Sequence, residues 1–191
     1  MRIIAGTARG TRLVSTRARW LRPTSDRARQ TLFDWLGDRI VDARVLDLFC
    51  GTGALGIEAL SRGAREAVFV DVRTSALGLV RENLRRTHFE GRAQLVRADV
   101  RTALGKLARE GRFDVIFADP PYADARVLKD LLRSVGNLLQ RDGVFVLERS
   151  VASELPEDES GDLLLQAEKR VSETVFSVFV LREQRVRSFD A

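Results

Sequence analysis

Apolar positions along this chain recur with two spacings that alternate from residue 43 onward. Short apolar runs at 44–49, 67–70, 93–96, 113–118 and 143–147 predict strands. Between them, apolar residues at helical spacing predict helices over 54–62, 75–86, 101–110 and 126–140. The last of these has the clearest stripe: Leu128, Leu131, Leu132, Val135, Leu138 and Leu139. Strand–helix alternation predicts a mainly parallel sheet covered by helices on both faces. Runs at 163–165 and 174–181 predict two last strands, an antiparallel hairpin at one sheet edge with Glu168-Lys169-Arg170 between them. The expected class is α/β with a Rossmann-like, seven-stranded sheet.

Ahead of this repeat the pattern differs. Residues 2–14 alternate loosely around Gly6 and Gly10 and predict a small β-hairpin. Residues 15–22 read as loop. A helix follows, with Thr24, Ser25 or Asp26 as cap and Ala28, Leu32, Phe33, Trp35 and Leu36 facing inward. The expected organisation is a basic hairpin-and-helix extension, 1–40, ahead of a main domain, 41–191.

Charge sharpens that division. The chain of 191 residues carries +5 overall, yet residues 1–29 hold eight arginines against one acid, Asp26. Such a block predicts a polyanionic partner, nucleic acid above all, with Arg9, Arg12, Arg22 and Arg27 as the expected contacts, and Arg29 within reach of a phosphate. The competing reading is an arginine-rich solvated surface. One cysteine, Cys50, excludes an internal disulfide, and no apolar run reaches the ~18 residues of a membrane span. The expected location is cytoplasmic. The single histidine, His88, and the lack of any His/Cys cluster predict no metal site.

The chemistry concentrates at strand ends. Gly51-Thr52-Gly53-Ala54-Leu55-Gly56 matches G-x-G-x-x-G between a strand and a helix, with Asp71 ending the next strand. That is the dinucleotide fingerprint, so a nicotinamide dehydrogenase is one reading. Asp47 opposes it, because a carboxylate there repels a pyrophosphate on the helix N-terminus and favours a cation. S-adenosylmethionine (SAM) suits the set better. Asp47 faces the methionine ammonium, Gly51 and Gly53 admit the ligand, Asp71 takes the ribose hydroxyls, and Asp99 takes the adenine amine.

The fourth strand ends in Asp119-Pro120-Pro121-Tyr122. A carboxylate beside a proline carbonyl can accept both hydrogens of one flat amino group, and a tyrosine can stack on the ring that bears it. The candidate catalytic residues are therefore Asp119, Pro120 and Tyr122, with Asp119 also lining the cofactor site. The competing reading is a stiff turn with a solvated acid.

These segments together resemble the bacterial 16S rRNA (guanine-N2)-methyltransferases that modify guanine 966 of the small-subunit RNA. The resemblance is carried by Arg2-Ile3-Ile4-Ala5-Gly6, Arg9-Gly10, residues 22–27, residues 43–49, Gly51, residues 53–63 and residues 119–122. It implies a SAM-dependent methyltransferase fold, methyl transfer to a guanine N2, and a small-subunit rRNA substrate. A monomer is expected, since no apolar helix surface is spare in the sequence pattern. Cys50 stands where the family has alanine, and Asp71 where glutamate is common, which shortens the reach to a ribose. Another RNA or DNA amino-methyltransferase is the nearest alternative, and a non-catalytic RNA-binding module the third.

Overall fold

The computed structural model describes residues 1–16, 24–120, 125–155 and 161–182. Its seven strands form one sheet in the order β3-β2-β1-β4-β5-β7-β6. They are β1 (Arg44–Leu48), β2 (Glu66–Asp71), β3 (Ala93–Arg97), β4 (Phe113–Ala118), β5 (Leu139–Ser150), β6 (Leu163–Val171) and β7 (Thr174–Leu181). β1 to β5 pair in parallel, and β7 is antiparallel to both β5 and β6. The expected α/β class, strand number and C-terminal hairpin all match.

Two apolar layers sandwich the sheet. Helices α1 (Asp26–Leu36), α2 (Ala54–Ser61) and α3 (Thr74–Thr87) bury their stripes on one face, against Val45, Phe69, Phe117 and Val146. Helices α4 (Val100–Leu107) and α5 (Ala125–Val135) cover the other, against Leu46, Val68, Ile116 and Leu147. Odd and even positions of one strand thus feed opposite cores, which is why these strands read as continuous apolar runs.

Several boundaries differ from expectation. α5 stops at Val135 rather than 140, because Gly136 opens a 3-10 turn and Leu139 already pairs with Phe113 on β4. β5 is consequently longer than its apolar run, with a register shift opposite Phe113/Val115. Gly143 sits in that irregularity, where a Cβ would lie 2.9 Å from the Phe113 carbonyl oxygen. Glu168-Lys169-Arg170 are not a turn; they continue β6, and the chain reverses at Ser172-Glu173, with Ser172 at φ 56°.

The N-terminal segment is fastened to the main domain through side chains of α2. Glu58 is fully buried; its two oxygens accept from the Ile4 N–H (2.8 Å) and the Ala5 N–H (3.0 Å), and Oε1 also accepts from Arg62 Nε (2.9 Å). Ser61 Oγ accepts from the Ala8 N–H and donates to the Ala5 carbonyl, while its own carbonyl accepts from the Thr7 N–H. Gly6, at φ +80°, lies so close that a Cβ would come within 1.8 Å of that carbonyl. The expected hairpin reduces to one bridge, Arg2 to Arg12, flanked by backbone bonds between Ile3 and both Gly10 and Thr11.

Candidate cofactor and base-binding site

The connection order places the site. From β1 the chain crosses over towards β2 and β3, whereas β4 and β5 build away on the other side. The crevice between the C-terminal ends of β1 and β4 is therefore the topological switch point, where open α/β sheets bind ligands. The glycine loop leaves β1 on one side of it and Asp119 leaves β4 on the other.

The loop is folded by two acids. Asp47 is buried, and its Oδ2 accepts from the Gly56 N–H (2.9 Å), one of the otherwise unpaired donors in the first turn of α2. Asp71 Oδ2 accepts from the Gly51 N–H (3.1 Å), and its Oδ1 from the Arg73 N–H (2.8 Å). Between them the backbone takes positive φ at Phe49 (57°), Gly51 (54°) and Gly53 (74°). Phe49 is the costly one, since a side chain in the left-handed region is strained, and such strain gathers at ligand sites. Gly56 is glycine for a packing reason: a Cβ there would sit 2.3 Å from Phe69 Cε1.

Asp47 has an unusual titration. Burial is the main cause that pushes its carboxyl up to about 8, with the charges of Asp71 and Glu148 adding to it and the Gly56 N–H opposing it. A buried acid held near neutrality in this way gains its charge only where a cation meets it. Cys50 is buried too, and burial pushes its thiol well up, which disfavours the reactive thiolate.

The other acids follow along the same edge. Asp71, buried, ends β2; each oxygen spends one lone pair on a backbone amide and keeps another direction for a hydroxyl. Asp99 caps α4 through the Arg101 N–H (3.0 Å) and pairs with Arg101 Nε (3.1 Å), the latter chiefly holding its carboxyl below the usual range. Asp99 is half-exposed, with Arg101 already on it. Asp119 and Pro120, both partly buried, lie just beyond β4; Ala118 is in register with Leu48 of β1 and Leu147 of β5. Asp99, Asp71, the Asp47 loop and Asp119 thus stand on four consecutive strands, spanning about 14 Å. Tyr122 lies outside the described residues, as does Arg22.

Arg9, Arg12 and Arg27 are exposed and take part in no ion pair among the described residues. Arg9 adjoins the residues that pack on Ser61 at the end of α2, about 12 Å of helix away from the glycine loop. Arg29 corrects the sequence reading. It is fully buried, with Nη2 donating to the Arg2 carbonyl and to Asp26 (2.9 Å), so it cannot reach a phosphate. Its role is to hold the N-terminus of the chain against α1.

Several residues escaped the sequence reading. Thr24 donates from Oγ1 to Glu148 (2.7 Å), a buried acid on β5 one residue past the partner of Ala118. This ties the segment ahead of α1 to the strand beside Asp119. Val72, directly after Asp71, is 55% exposed, a large apolar side chain left open at the surface. Asn83 is wholly buried on α3, bonded to both Val14 and Thr52. Its signal was legible: an amide on the same stripe as Val80, Leu84 and Thr87.

Comparison with known proteins gives the chain relatives and a family. Ribosomal RNA small subunit methyltransferase D of Escherichia coli (strain K12) is 40% identical over 144 residues, covering 75% of this chain and 68% of its own length. The solved structure of hypothetical protein TTHA0928 from Thermus thermophilus superposes with a TM-score of 0.80 at 35% identity, over 95% of this chain and 99% of that one. TrmN from Thermus thermophilus gives 0.68 at 26% identity, over 81% of this chain and 48% of its own. The family described as "Conserved hypothetical protein 95" matches residues 1–180, and the chain belongs to that family, the one that holds the small-subunit rRNA methyltransferases its motifs resemble.

Proposed function

We propose that this protein methylates the exocyclic N2 of a guanine in small-subunit rRNA, position 966 of the 16S molecule, with SAM as donor. The observation that carries the reading is the row of acids at the C-terminal ends of β3, β2, β1 and β4, on either side of the switch point. Asp99 and Asp71 suit an adenine amine and a ribose, buried Asp47 suits an ammonium, and Asp119-Pro120, directly after β4, suits a base amine. Val72 offers an apolar rest for the adenine ring. The relatives named as rRNA methyltransferases support the substrate class.

When bound, SAM supplies an electrophilic methyl carbon on a sulfonium. A guanine N2 is a poor nucleophile because its lone pair is conjugated into the ring. Asp119 and the Pro120 carbonyl would accept its two hydrogens and favour a tetrahedral nitrogen, freeing that pair for in-line attack. The N–C bond forms as the S–C bond breaks, the sulfur keeps the bonding electrons, and the nitrogen loses one proton to Asp119 or to water. The rate gain comes from alignment and electrostatics. Tyr122 would stack on the extruded base.

The test offers labelled SAM with unmethylated small subunits, naked rRNA, transfer RNA or DNA, followed by mass mapping of the product. Label on N2 of one guanine in small-subunit rRNA is expected. Asp119→Ala should lower turnover at least 100-fold while S-adenosylhomocysteine (SAH) affinity stays within several-fold. Label confined to DNA or transfer RNA, or near-normal turnover of the variant, refutes the assignment.

A further inference from the structure

Among the described residues, Asn83 joins the N-terminal segment to the glycine loop directly through its own amide. Its Oδ1 accepts from the Val14 N–H (2.6 Å), and its Nδ2 donates to the Val14 carbonyl (3.0 Å) and to the Thr52 carbonyl (3.0 Å). The residue is 0% exposed, so none of these bonds is replaceable by water without opening the packing of α3. Thr52 lies between Gly51 and Gly53, the residues that admit a cofactor. Val14 is partly buried and directly precedes the basic stretch that begins at 15. One amide plane therefore serves both, and its two N–H directions are fixed relative to each other. A shift of the loop carbonyl rotates the same group that holds Val14.

We propose that Asn83 is a positioning residue that couples the two ligands, so that filling the cofactor crevice tightens RNA binding. The proposal rests on the methyltransferase reading above. Its physical basis is shared ordering: a cofactor that fixes the Thr52 carbonyl also fixes Val14, and an RNA held by exposed Arg9 and Arg12, on the segment that leads into Val14, returns the same constraint to the loop. No contact between the two ligands is needed for this part of the linkage. Glu58 and Ser61 hold residues 4–8 on α2 separately, so loss of the Asn83 bonds leaves the rest of the segment fastened.

The experiment measures the dissociation constant of the full chain for small subunits reconstituted with unmodified 16S rRNA, with and without saturating SAH. The expected result is binding at least about fivefold tighter with SAH, and the reciprocal factor in SAH titrations. Asn83→Asp keeps an acceptor for the Val14 N–H but presents oxygen to both carbonyls; Asn83→Ala removes all three bonds. In both, the factor should fall within twofold of unity while residues 1–16 stay protease-resistant. An unchanged wild-type affinity on adding SAH, or a full factor in either folded variant, overturns the proposal; the wild-type arm decides even where neither variant accumulates. Failure of the methyltransferase reading looks different: no SAH uptake, or no methyl transfer to those subunits by the wild type.

Discussion

Cofactor binding should expel a proton from Asp47. In the cofactor-free protein this carboxyl titrates at about 8 because burial disfavours its charge. At pH 7 it is thus about nine-tenths protonated. An ammonium placed beside it reverses the balance, so the group ionises on binding. Titration calorimetry with SAH at pH 7, in buffers of different ionisation enthalpy, should therefore register release of about 0.9 proton per site. Asp47→Asn keeps an oxygen for the Gly56 N–H and has no proton to give. Its binding heat should be independent of buffer. Its affinity should fall by about 1.5–3 kcal/mol, the worth of a charge-assisted hydrogen bond, or about 10- to 150-fold. The same variant checks the sign of the stability effect. A carboxyl raised in the fold contributes stability that is complete below its unfolded value near 3.8 and is lost as pH rises through about 8. The variant should lack that decline. Buffer-independent heat in the wild type would refute the reasoning, because it would mean that no cation meets Asp47.

Gly56→Ala drives a methyl to within 2.3 Å of the Phe69 ring; it should cost about 1–3 kcal/mol in urea unfolding and weaken SAH binding as α2 shifts. Glu58→Ala removes the acceptor of two backbone donors and leaves Arg62 without its buried partner; a loss of about 3–5 kcal/mol is expected, with early proteolysis near residue 5. Thr24→Val should cost about 1–3 kcal/mol, read in the same unfolding assay, by leaving Glu148 short of a donor. Neutralising Arg9, Arg12 and Arg27 together should flatten the dependence of RNA affinity on salt by up to about three units of slope, with SAH affinity unchanged.

Much of this architecture was legible because local pattern and global fold agree. Four of the five parallel strands are largely buried and show as apolar runs, while edge strand β3 is only partly covered; Asp71 and Asp119 directly follow their runs, Asp47 interrupts its own, and Asp99 comes three residues after the third. What was not legible depends on partners far away in sequence. Nothing around Arg29 signals that Arg2 and Asp26 will bury it, so its charge reads as free. The turn at Ser172-Glu173 lacks the glycine or asparagine that marks hairpins, and its charged approach on β6 looks like a loop. Thr24 and Glu148 meet across 124 residues, and no spacing rule joins them. Asp99 shows the opposite ambiguity: helix cap and adenine acceptor share one sequence signature, and the cap is the role seen between Asp99 and Arg101.

The clamp formed by Glu58 and Ser61 also has a temporal meaning. The amides of residues 4, 5 and 8 find their acceptors only 53 or 54 positions later in the chain. During synthesis the arginine-bearing leader must therefore leave the ribosome unanchored and wait for α2 to emerge and coil. A nascent chain would carry its positively charged end loose until that helix exists, so under the proposed function any grip on RNA would mature together with the glycine loop that α2 follows.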